Sequence, residues 1–300
     1  ILHPKIILQG GPLQRGQINT LVGLGGNDTY FVDNPGDVVT ESHNGGYDIV
    51  YTSVSYALTP GSEIEQLGTS SNVGTAPINL TGNEFRQLIR GNAGDNIIDG
   101  KGGVDTLIGL GGNDNYSVSD AGTVVTEAAG GGYDIVRASV NYTLTAGSEV
   151  EQLGTTNTAG TDPINLTGNT FNQLIRGNAG DNVLTGGGGN DVFTTGAGHD
   201  TIVFNNSIGP NNAVTVTDFD PTLDQFALNH LDFPQLPVGQ LDPSMFANAG
   251  SVTTSAQHVI YDAAAGSIYY DTDGSGVAEA ILFAHVTPHL AITSNDFFIV

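Results

Sequence analysis

Gly109-Leu110-Gly111-Gly112-Asn113-Asp114-Asn115-Tyr116-Ser117 is the nine-residue segment that decides the fold of this chain. It fits the pattern G-G-x-G-x-D-x-U-x, in which U is a large apolar residue, except that Leu110 stands at the second position. The segments 23–31 and 100–108 likewise lack only the second glycine, and 186–194 fits the pattern in full. A single match would indicate only an ordinary glycine-aspartate turn. Because the copies at 100–108 and 109–117 follow each other directly, the pattern predicts stacked turns instead.

The spacing of the nonapeptides explains why stacked turns of this kind would bind a metal ion. Six residues form a glycine-rich turn and three form a short strand whose apolar residue points inward. Two nonapeptides close one coil, so turns 18 residues apart stack on the same edge, about 4.8 Å from each other. An ion with oxygen ligands at about 2.3–2.6 Å can therefore contact both turns. Backbone carbonyls, which converge because glycine adopts positive φ, and the carboxylate at position six would be the ligands. Oxygen ligands alone favour Ca²⁺ over transition metals.

A longer repeat encloses the nonapeptides. Asp28 recurs as Asp114 and again as Asp200, each 86 residues after the one before. Two nearly complete repeats therefore span 23–108 and 109–194, and a third begins at Thr195 and soon decays. Such repeats are typical of a solenoid, in which each repeat buries its apolar face only by stacking on its neighbours. The same offset of 86 also relates 46–50 to 132–136, 65–69 to 151–155 and 87–96 to 173–182.

The predicted fold class is all-β: a right-handed parallel β-helix or β-roll solenoid with a C-terminal β-rich capping segment. Apolar residues come in short bursts separated by turn residues, and no long stretch has a helical stripe. We expect coils of roughly 18–22 residues; short calcium rolls separated by independent antiparallel pieces are the alternative. The predicted segments are 1–22, an N-terminal linker or the start of the solenoid, 23–204, the calcium-binding solenoid with its two repeats, and 205–300, the cap.

The predicted metal ligands belong to the turns, but the turns are not equivalent. Asn96 and Asn182 stand where the carboxylate is expected, so mixed or metal-free coils and a reduced number of ions are expected. Asp218 either closes the last calcium turn or lies in a solvated loop. The complete predicted metal set is Gly23, Gly25, Asp28, Asp37, Gly91, Ala93, Asp95, Asn96, Gly100, Gly102, Asp105, Gly109, Gly111, Asp114, Gly177, Ala179, Asn182, Gly186, Gly188, Asp191, Asp200 and Asp218.

The segment from Asp271 to Gly276 also begins like a calcium loop, of the EF-hand type. Leu282 stands at the twelfth position, where that loop requires a bidentate Glu. A hairpin turn between strands at 268–270 and 281–283 explains the segment more simply. The hairpin is therefore the favoured interpretation.

Composition limits the class of partner. The net charge is −24, from 31 acidic and 7 basic residues, which excludes nucleic acid and anionic membrane surfaces and attracts cations. A salt-adapted surface would be as acidic, but the fixed turn positions of many Asp residues indicate a specific cation. Cysteine is absent, which excludes disulfides and thiolate sites, and no apolar run is long enough to span a bilayer. Ile1 begins the chain without Met or a signal-like segment, so a processed or excised portion of a longer protein is expected.

The nonapeptides, the segment 217–220 and the ending Asp296-Phe297-Phe298-Ile299-Val300 resemble the repeats-in-toxin (RTX) family, over a range from about Gly23 to Val300. The missing second glycine at Leu24, Lys101 and Leu110 departs from the family pattern and bears on the number of ions, not on the fold. The resemblance implies several Ca²⁺ ions, calcium-driven folding outside the cell, and type I secretion through an uncleaved C-terminal signal within 205–300. The expected location is extracellular or at the cell surface.

The first function hypothesis is a non-catalytic module that folds on extracellular Ca²⁺ after type I secretion and stabilises a secreted protein. Its expected partners are calcium and the secretion machinery, without nucleic acid or membrane insertion. The alternative is a self-assembling structural subunit of a surface layer, filament or biofilm adhesin. A further alternative is the C-terminal part of a secreted protease, lipase or polysaccharide-modifying enzyme. The chain contains neither H-E-x-x-H nor G-x-S-x-G, so catalysis, if present, is expected in an upstream portion.

Overall fold

The computed structural model describes residues 8–9 (backbone only), 16–252, 254–274 and 278–300. The chain forms two compact units. The first consists of Ile1–Val140 with Gly147–Val150, and the second of Asn141–Ala146 with Glu151–Val300. Within the part of the chain that the structure describes, no helix has the length and apolar character needed to cross a membrane.

The first unit is a parallel β-solenoid of short strands joined by glycine-rich turns. The strands pair in three orders, β1-β2-β4, β3-β5-β7-β9-β11-β13 and β6-β8-β10-β12-β14, and the pairs are parallel except β1 with β2. Their bounds are β1 Leu8–Gln9, β2 Thr20–Val22, β3 Thr29–Val32, β4 Val38–Thr40, β5 Ile49–Thr52, β6 Tyr56–Ala57, β7 Gln66–Thr69, β8 Leu80–Thr81, β9 Leu88–Arg90, β10 Ile97–Asp99, β11 Thr106–Ile108, β12 Asn115–Val118, β13 Val124–Thr126 and β14 Ile135–Ala138.

The register of these pairs confirms the predicted stacking. Ile97 of β10 lies opposite Asn115 of β12, which is a coil of 18 residues. Coils that contain other turns are longer or shorter: Thr29 pairs with Ile49, and Ile49 pairs with Gln66. The alternative of independent antiparallel pieces between short calcium rolls does not describe this unit, because the segments between the nonapeptides also form parallel coils.

The core of the first unit is a column of residues from the middle of successive strands. Because side chains alternate across a strand, a strand of three or four residues places only one or two of them inside. A single coil therefore buries few apolar side chains, and stability requires neighbouring coils. The column contains Tyr30, Val50, Leu67, Ile89, Leu107 and Val125 on one side, and Tyr56, Leu80, Ile98, Tyr116 and Val136 on the other, all at most 4% exposed.

The second unit has the same architecture and ends in antiparallel strands. Its strands pair in the orders β15-β17-β19-β21-β23-β29-β24 and β16-β18-β20-β22-β28-β27-β26-β25. Short 3₁₀ helices lie at Pro243–Met245 and Ser294–Asp296. The bounds are β15 Tyr142–Thr143, β16 Gln152–Thr155, β17 Leu166–Thr167, β18 Leu174–Arg176, β19 Val183–Thr185, β20 Val192–Thr194, β21 Thr201–Phe204, β22 Val214–Val216, β23 Gln225–Leu228, β24 Gly239–Gln240, β25 Phe246–Asn248, β26 Val259–Asp262, β27 Ser267–Tyr270, β28 Ile281–His285 and β29 Phe297–Ile299.

Parallel pairing in the second unit continues past residue 204, where the nonapeptide pattern has ended. β22 and β23 stack on β20 and β21, and β28 and β29 stack on them in turn. The last coil is filled by aromatic rings: Phe226 stacks on Phe219 at 4.4 Å between ring centroids and on Phe297 at 5.3 Å. The division of the chain at 204 stays a prediction.

The predicted hairpin near the C-terminus is confirmed. β27 pairs with β28 in antiparallel fashion, and Tyr270 lies opposite Ile281. Ser275 and Gly276 of the loop lie outside the described residues. Asp271 Oδ1 accepts a hydrogen bond from Asp273 N at 3.1 Å, so a local turn uses this carboxylate.

Candidate metal sites in the turns

The turn of each nonapeptide has positive φ at its second and fourth positions. In the turn at 109–114 these residues are Leu110, with φ 88°, and Gly112, with φ 93°. Glycine is required at the fourth position because a Cβ on Gly112 would lie 2.5 Å from the carbonyl carbon of Gly94 and 2.7 Å from the backbone nitrogen of Asp95. At the second position Leu24, Lys101 and Leu110 adopt positive φ, so the departures from the glycine pattern leave the turn unchanged.

The first glycine of the turns at 100–105 and 186–191 leaves the space that the sixth side chain occupies. A Cβ on Gly100 would collide with Asp105 Oδ2, and one on Gly186 would collide with Asp191 Oδ2. The position-one glycines of the predicted metal set are all buried, namely Gly23, Gly91, Gly100, Gly109, Gly177 and Gly186. The third-position residues lie further out and are partly or fully exposed, namely Gly25, Ala93, Gly102, Gly111, Ala179 and Gly188.

Four position-six carboxylates, those of Asp105, Asp114, Asp191 and Asp200, each link two coils through one oxygen. Asp105 Oδ1 accepts a hydrogen bond from the backbone N–H of Gln87, 18 residues earlier, at 2.8 Å. Asp191 Oδ1 accepts from Gln173 N at the same distance. The equivalent bonds to Asp114 and Asp200 are donated by Asn96 N at 2.6 Å and Asn182 N at 2.8 Å. One oxygen of each carboxylate is therefore fixed by the neighbouring coil.

The second oxygen of several of these carboxylates is buried without any donor. Oδ2 of Asp114, Asp191 and Asp200 has no hydrogen-bond partner. Burial raises the pKa of each of these three carboxyl groups to about 7, because an ionised carboxylate that lacks donors is poorly solvated. A cation at these oxygens would remove that penalty, so the residues fit a hard metal ion.

The ion pairs of His43 and Lys101 do not involve the carboxylates of Asp105, Asp114, Asp191 and Asp200. Among the described residues, ion pairs join His43 to Glu63 at 3.0 Å and Lys101 to Asp99 at 2.8 Å. Neither pair includes a position-six carboxylate. Burial likewise raises the pKa of Asp105 to about 7.

Turns with an amide at position six are closed by hydrogen bonds of the protein itself. Asn96 Nδ2 donates to the carbonyl of Ile78 in the neighbouring coil at 2.8 Å and to Asn92 Oδ1 at 3.0 Å. Asn182 makes the equivalent bonds to Ile164 and Asn178 at 2.9 Å each. These contacts agree with mixed or metal-free coils, and the metal assignment of Asn96 and Asn182 stays a prediction.

Two other predicted ligands already accept backbone hydrogen bonds elsewhere. Asp37 Oδ1 accepts from Asn19 N at 2.7 Å, and its Oδ2 faces the N–H groups of its own turn. Asp95 is exposed and accepts from Asn113 N at 2.7 Å. Because neighbouring residues point to opposite sides of the chain, Asp95 points outward where Asn96 points inward.

The last candidate turn combines three carboxylates from two coils. Asp224 Oδ1 accepts from Asp200 N at 3.1 Å. Asp218 is exposed, and its two oxygens accept from Thr195 N at 2.8 Å and Gly196 N at 3.0 Å. Asp218 therefore lies against the turn that precedes Asp200, and its assignment as a calcium ligand stays a prediction.

The structure also brings together acidic residues that were not predicted as ligands. Glu41 and Asp48 lie next to Asp28, and Glu127 and Asp134 lie next to Asp114. All are buried. A signal for them was present in the sequence, because both additional residues recur at the offset of 86 that relates the two repeats.

A family model matches the end of each repeat and the turn that follows it. The model, described as RTX calcium-binding nonapeptide repeat (4 copies), matches residues 81–116 and 167–202. The chain carries RTX calcium-binding repeats. RTX repeats bind Ca²⁺ at several sites, and the matched ranges include the turns of Asp105, Asp114 and Asp191. No curated protein matches the chain.

Proposed function

We propose that the chain is a calcium-binding module that folds on extracellular Ca²⁺ after type I secretion and stabilises a secreted protein. The observation that carries the proposal is the buried carboxylate oxygen without a donor, which occurs at Asp114, Asp191 and Asp200. The RTX repeats in the same turns support calcium as the ion. A non-catalytic role is part of the proposal, and it rests on the structural use of these carboxylates.

Folding and calcium binding are coupled because each site exists only when two coils are stacked. A bound Ca²⁺ would supply the positive charge that the turns lack and accept six to eight oxygen ligands. The residues that would hold it are the position-six carboxylates, whose other oxygen is already bound by the preceding coil. In the unfolded chain these groups are far apart, so the ion binds the folded state and shifts the equilibrium towards it.

The same coupling would keep the chain in an exportable form inside the cell. Without a cation, closely spaced ionised aspartates repel each other, and the 43 glycines make the unfolded state conformationally rich. Free calcium is low in a cytoplasm, where the chain would remain unfolded. Outside the cell the higher calcium concentration would drive folding.

Circular dichroism of the chain in chelator and in calcium tests this proposal. The expected result is a coil spectrum in chelator and a strand spectrum after Ca²⁺ is added. Mg²⁺ at the same concentration is the control and should be a poor substitute, because it requires shorter bonds in octahedral geometry and loses water reluctantly. A full strand spectrum in chelator would overturn the proposal.

Assembly state separates this proposal from the structural-subunit alternative. A calcium-loaded chain that sediments as a monomer agrees with a module, whereas calcium-dependent filaments or lattices in electron micrographs would favour the subunit. The further alternative, a part of a secreted enzyme, is tested by activity assays with polysaccharide, lipid and protein substrates.

A further inference from the structure

We propose that the chain contains a second type of calcium site, built from three carboxylates at a nonapeptide turn and the turn stacked on it. The two copies, here called the carboxylate triads, are Asp28-Glu41-Asp48 and Asp114-Glu127-Asp134. The proposal rests on the calcium-binding function proposed above and deepens it, because it assigns ligands outside the nonapeptide pattern. It also predicts which sites bind calcium most tightly.

The geometry of both triads fits one calcium ion. Each residue offers an oxygen that lies within 4.8 Å of the oxygens offered by the other two. Ligands on opposite sides of a calcium ion are about 4.6–5.2 Å apart, since each calcium–oxygen bond is about 2.3–2.6 Å. Three carboxylate oxygens at these separations can therefore share one ion.

Unpartnered oxygens in the interior are the independent sign of a missing cation. Glu127 is 3% exposed, and its Oε2 has no hydrogen-bond partner. Asp114 is 1% exposed, and its Oδ2 also has no hydrogen-bond partner. In the other triad the unpartnered atom is Oδ2 of Asp48, a residue with no exposed surface. Buried ionised groups require a partner of opposite charge, and the ion pairs of His43 and Lys101 do not involve Glu41, Asp48, Asp114 or Glu127.

The surrounding residues hold the triad carboxylates in place. Tyr116 donates its hydroxyl hydrogen to Glu127 Oε1, which leaves Oε2 available, and Tyr30 donates in the same way to Glu41 Oε1. Gly109 lies against this group of atoms, because a Cβ there would collide with Asp114 Oδ2, the Tyr116 hydroxyl and Glu127 Oε1. Gly23 has the same relation to Glu41 and Tyr30. The site is thus assembled from two stacked turns and a core tyrosine.

The number of carboxylates distinguishes the triads from the turns of Asp105 and Asp191. Asp105 and Asp191 accept hydrogen bonds from the backbone of Gln87 and Gln173, so each of them stacks on a coil that carries an amide side chain, not a carboxylate, at the equivalent position. Calcium affinity rises with the charge of the ligand set and with rigidity. The triads should therefore fill before the turns of Asp105 and Asp191 as calcium is added.

The test combines charge removal with a spectroscopic probe. The double variant Glu41→Gln with Glu127→Gln keeps the size of both side chains, and Glu279→Gln is the control for loss of charge at an exposed position. Bound calcium is counted by equilibrium dialysis. The double variant is expected to lose two ions per chain, one for each triad, or to bind them at least about tenfold more weakly. The control is expected to bind as the original chain does.

Terbium, a calcium substitute that emits light when a nearby tyrosine is excited, locates the ions. The chain has no Trp, and Tyr30 and Tyr116 stand at the triads, whereas Leu107 and Phe193 occupy the equivalent positions in the turns of Asp105 and Asp191. The pair Tyr30→Phe with Tyr116→Phe should lose most of the sensitised emission and keep the calcium count. Circular dichroism at saturating calcium checks that each variant folds. If the double Glu→Gln variant, here called the Gln pair, does not fold, the terbium emission of the double Tyr→Phe variant, here called the Phe pair, decides the test. The Phe pair retains every carboxylate.

The proposal that the triads bind calcium would be overturned if the folded Gln pair kept the calcium count and affinity of the original chain. Unchanged terbium emission in the Phe pair would also overturn it. Both results leave calcium binding itself intact. A chain that binds no calcium in any form would instead overturn the proposed function.

Discussion

At the residue scale, the side chain at the sixth position of the turn distinguishes coils that need a cation from coils that do not. The two side chains differ in one atom, which is an oxygen in Asp and an amide nitrogen in Asn. Asp200 and Asn182 face each other across neighbouring coils, and Asp200 Oδ1 accepts the backbone N–H of Asn182. Asp200 Oδ2 lacks a donor, whereas the amide nitrogen of Asn182 donates to the Ile164 carbonyl of the next coil. A carboxylate therefore needs a cation where an amide needs none.

This difference predicts that restoring the consensus residue will harm the protein. Asn182→Asp removes hydrogen bonds to Ile164 and Asn178 and places a negative charge against their oxygens. The free energy of unfolding should fall by roughly 1–3 kcal/mol at a calcium concentration just sufficient for folding, measured by urea unfolding. Asn172→Asp, at an exposed position where the side chain accepts from Asn190 N, should change little. A gain of stability in Asn182→Asp would contradict this account.

At the scale of the coil, spacing decides which side chains meet. A coil made of two nonapeptides has 18 residues, as between Ile97 and Asn115. The coil from Asn115 to Ile135 has 20, and its additional turn is the one that brings Glu127 to Asp114. The longer coil thus adds carboxylates to the candidate ligand set, and its strands keep the parallel register.

Close stacking of turns predicts a strong effect of one glycine and a weak effect of another. Both Gly112 and Gly61 have positive φ, at 93° and 78°, but a Cβ on Gly112 meets the Gly94 backbone and one on Gly61 meets nothing within 4 Å. Gly112→Ala should lower the free energy of unfolding in saturating calcium by roughly 2–5 kcal/mol, from backbone strain plus overpacking, and Gly61→Ala by about 1–2 kcal/mol, from strain alone. Equal losses in urea unfolding would show that contact between the turns is unimportant.

The sequence could predict the coil and part of each site, for physical reasons. Register follows from a fixed period and from an inward apolar residue such as Tyr116, both of which are local patterns. Glu127 and Asp134 escaped prediction because they become neighbours of Asp114 only when coils of unequal length stack. The alternation of side chains along the chain could have predicted that Asp95 points outward. The hydrogen bonds that Asp37 accepts could not be predicted from the sequence, because they depend on the path of its loop.

At the scale of the whole molecule, the net charge of −24 and the scarcity of basic residues make stability a function of cation concentration. The chain has 7 Lys and Arg residues against 31 acidic ones, so most carboxylates cannot be paired within the protein. Exposed carboxylates are solvated and screened by salt. The buried ones at the turns are shielded from both, and they determine how strongly folding responds to calcium.

This dependence predicts the slope of stability against calcium. For ions that bind only the folded chain, each tenfold increase in free calcium above the dissociation constant adds about 1.4 kcal/mol per site to the free energy of unfolding. The two carboxylate triads alone should give about 2.8 kcal/mol per decade, measured by urea unfolding in calcium buffers at constant ionic strength. The pair Glu41→Gln with Glu127→Gln should reduce the slope by that amount, while Glu279→Gln should retain it. A slope near zero would mean that the folded chain binds no more calcium than the unfolded one, and the coupling between folding and calcium would then be absent.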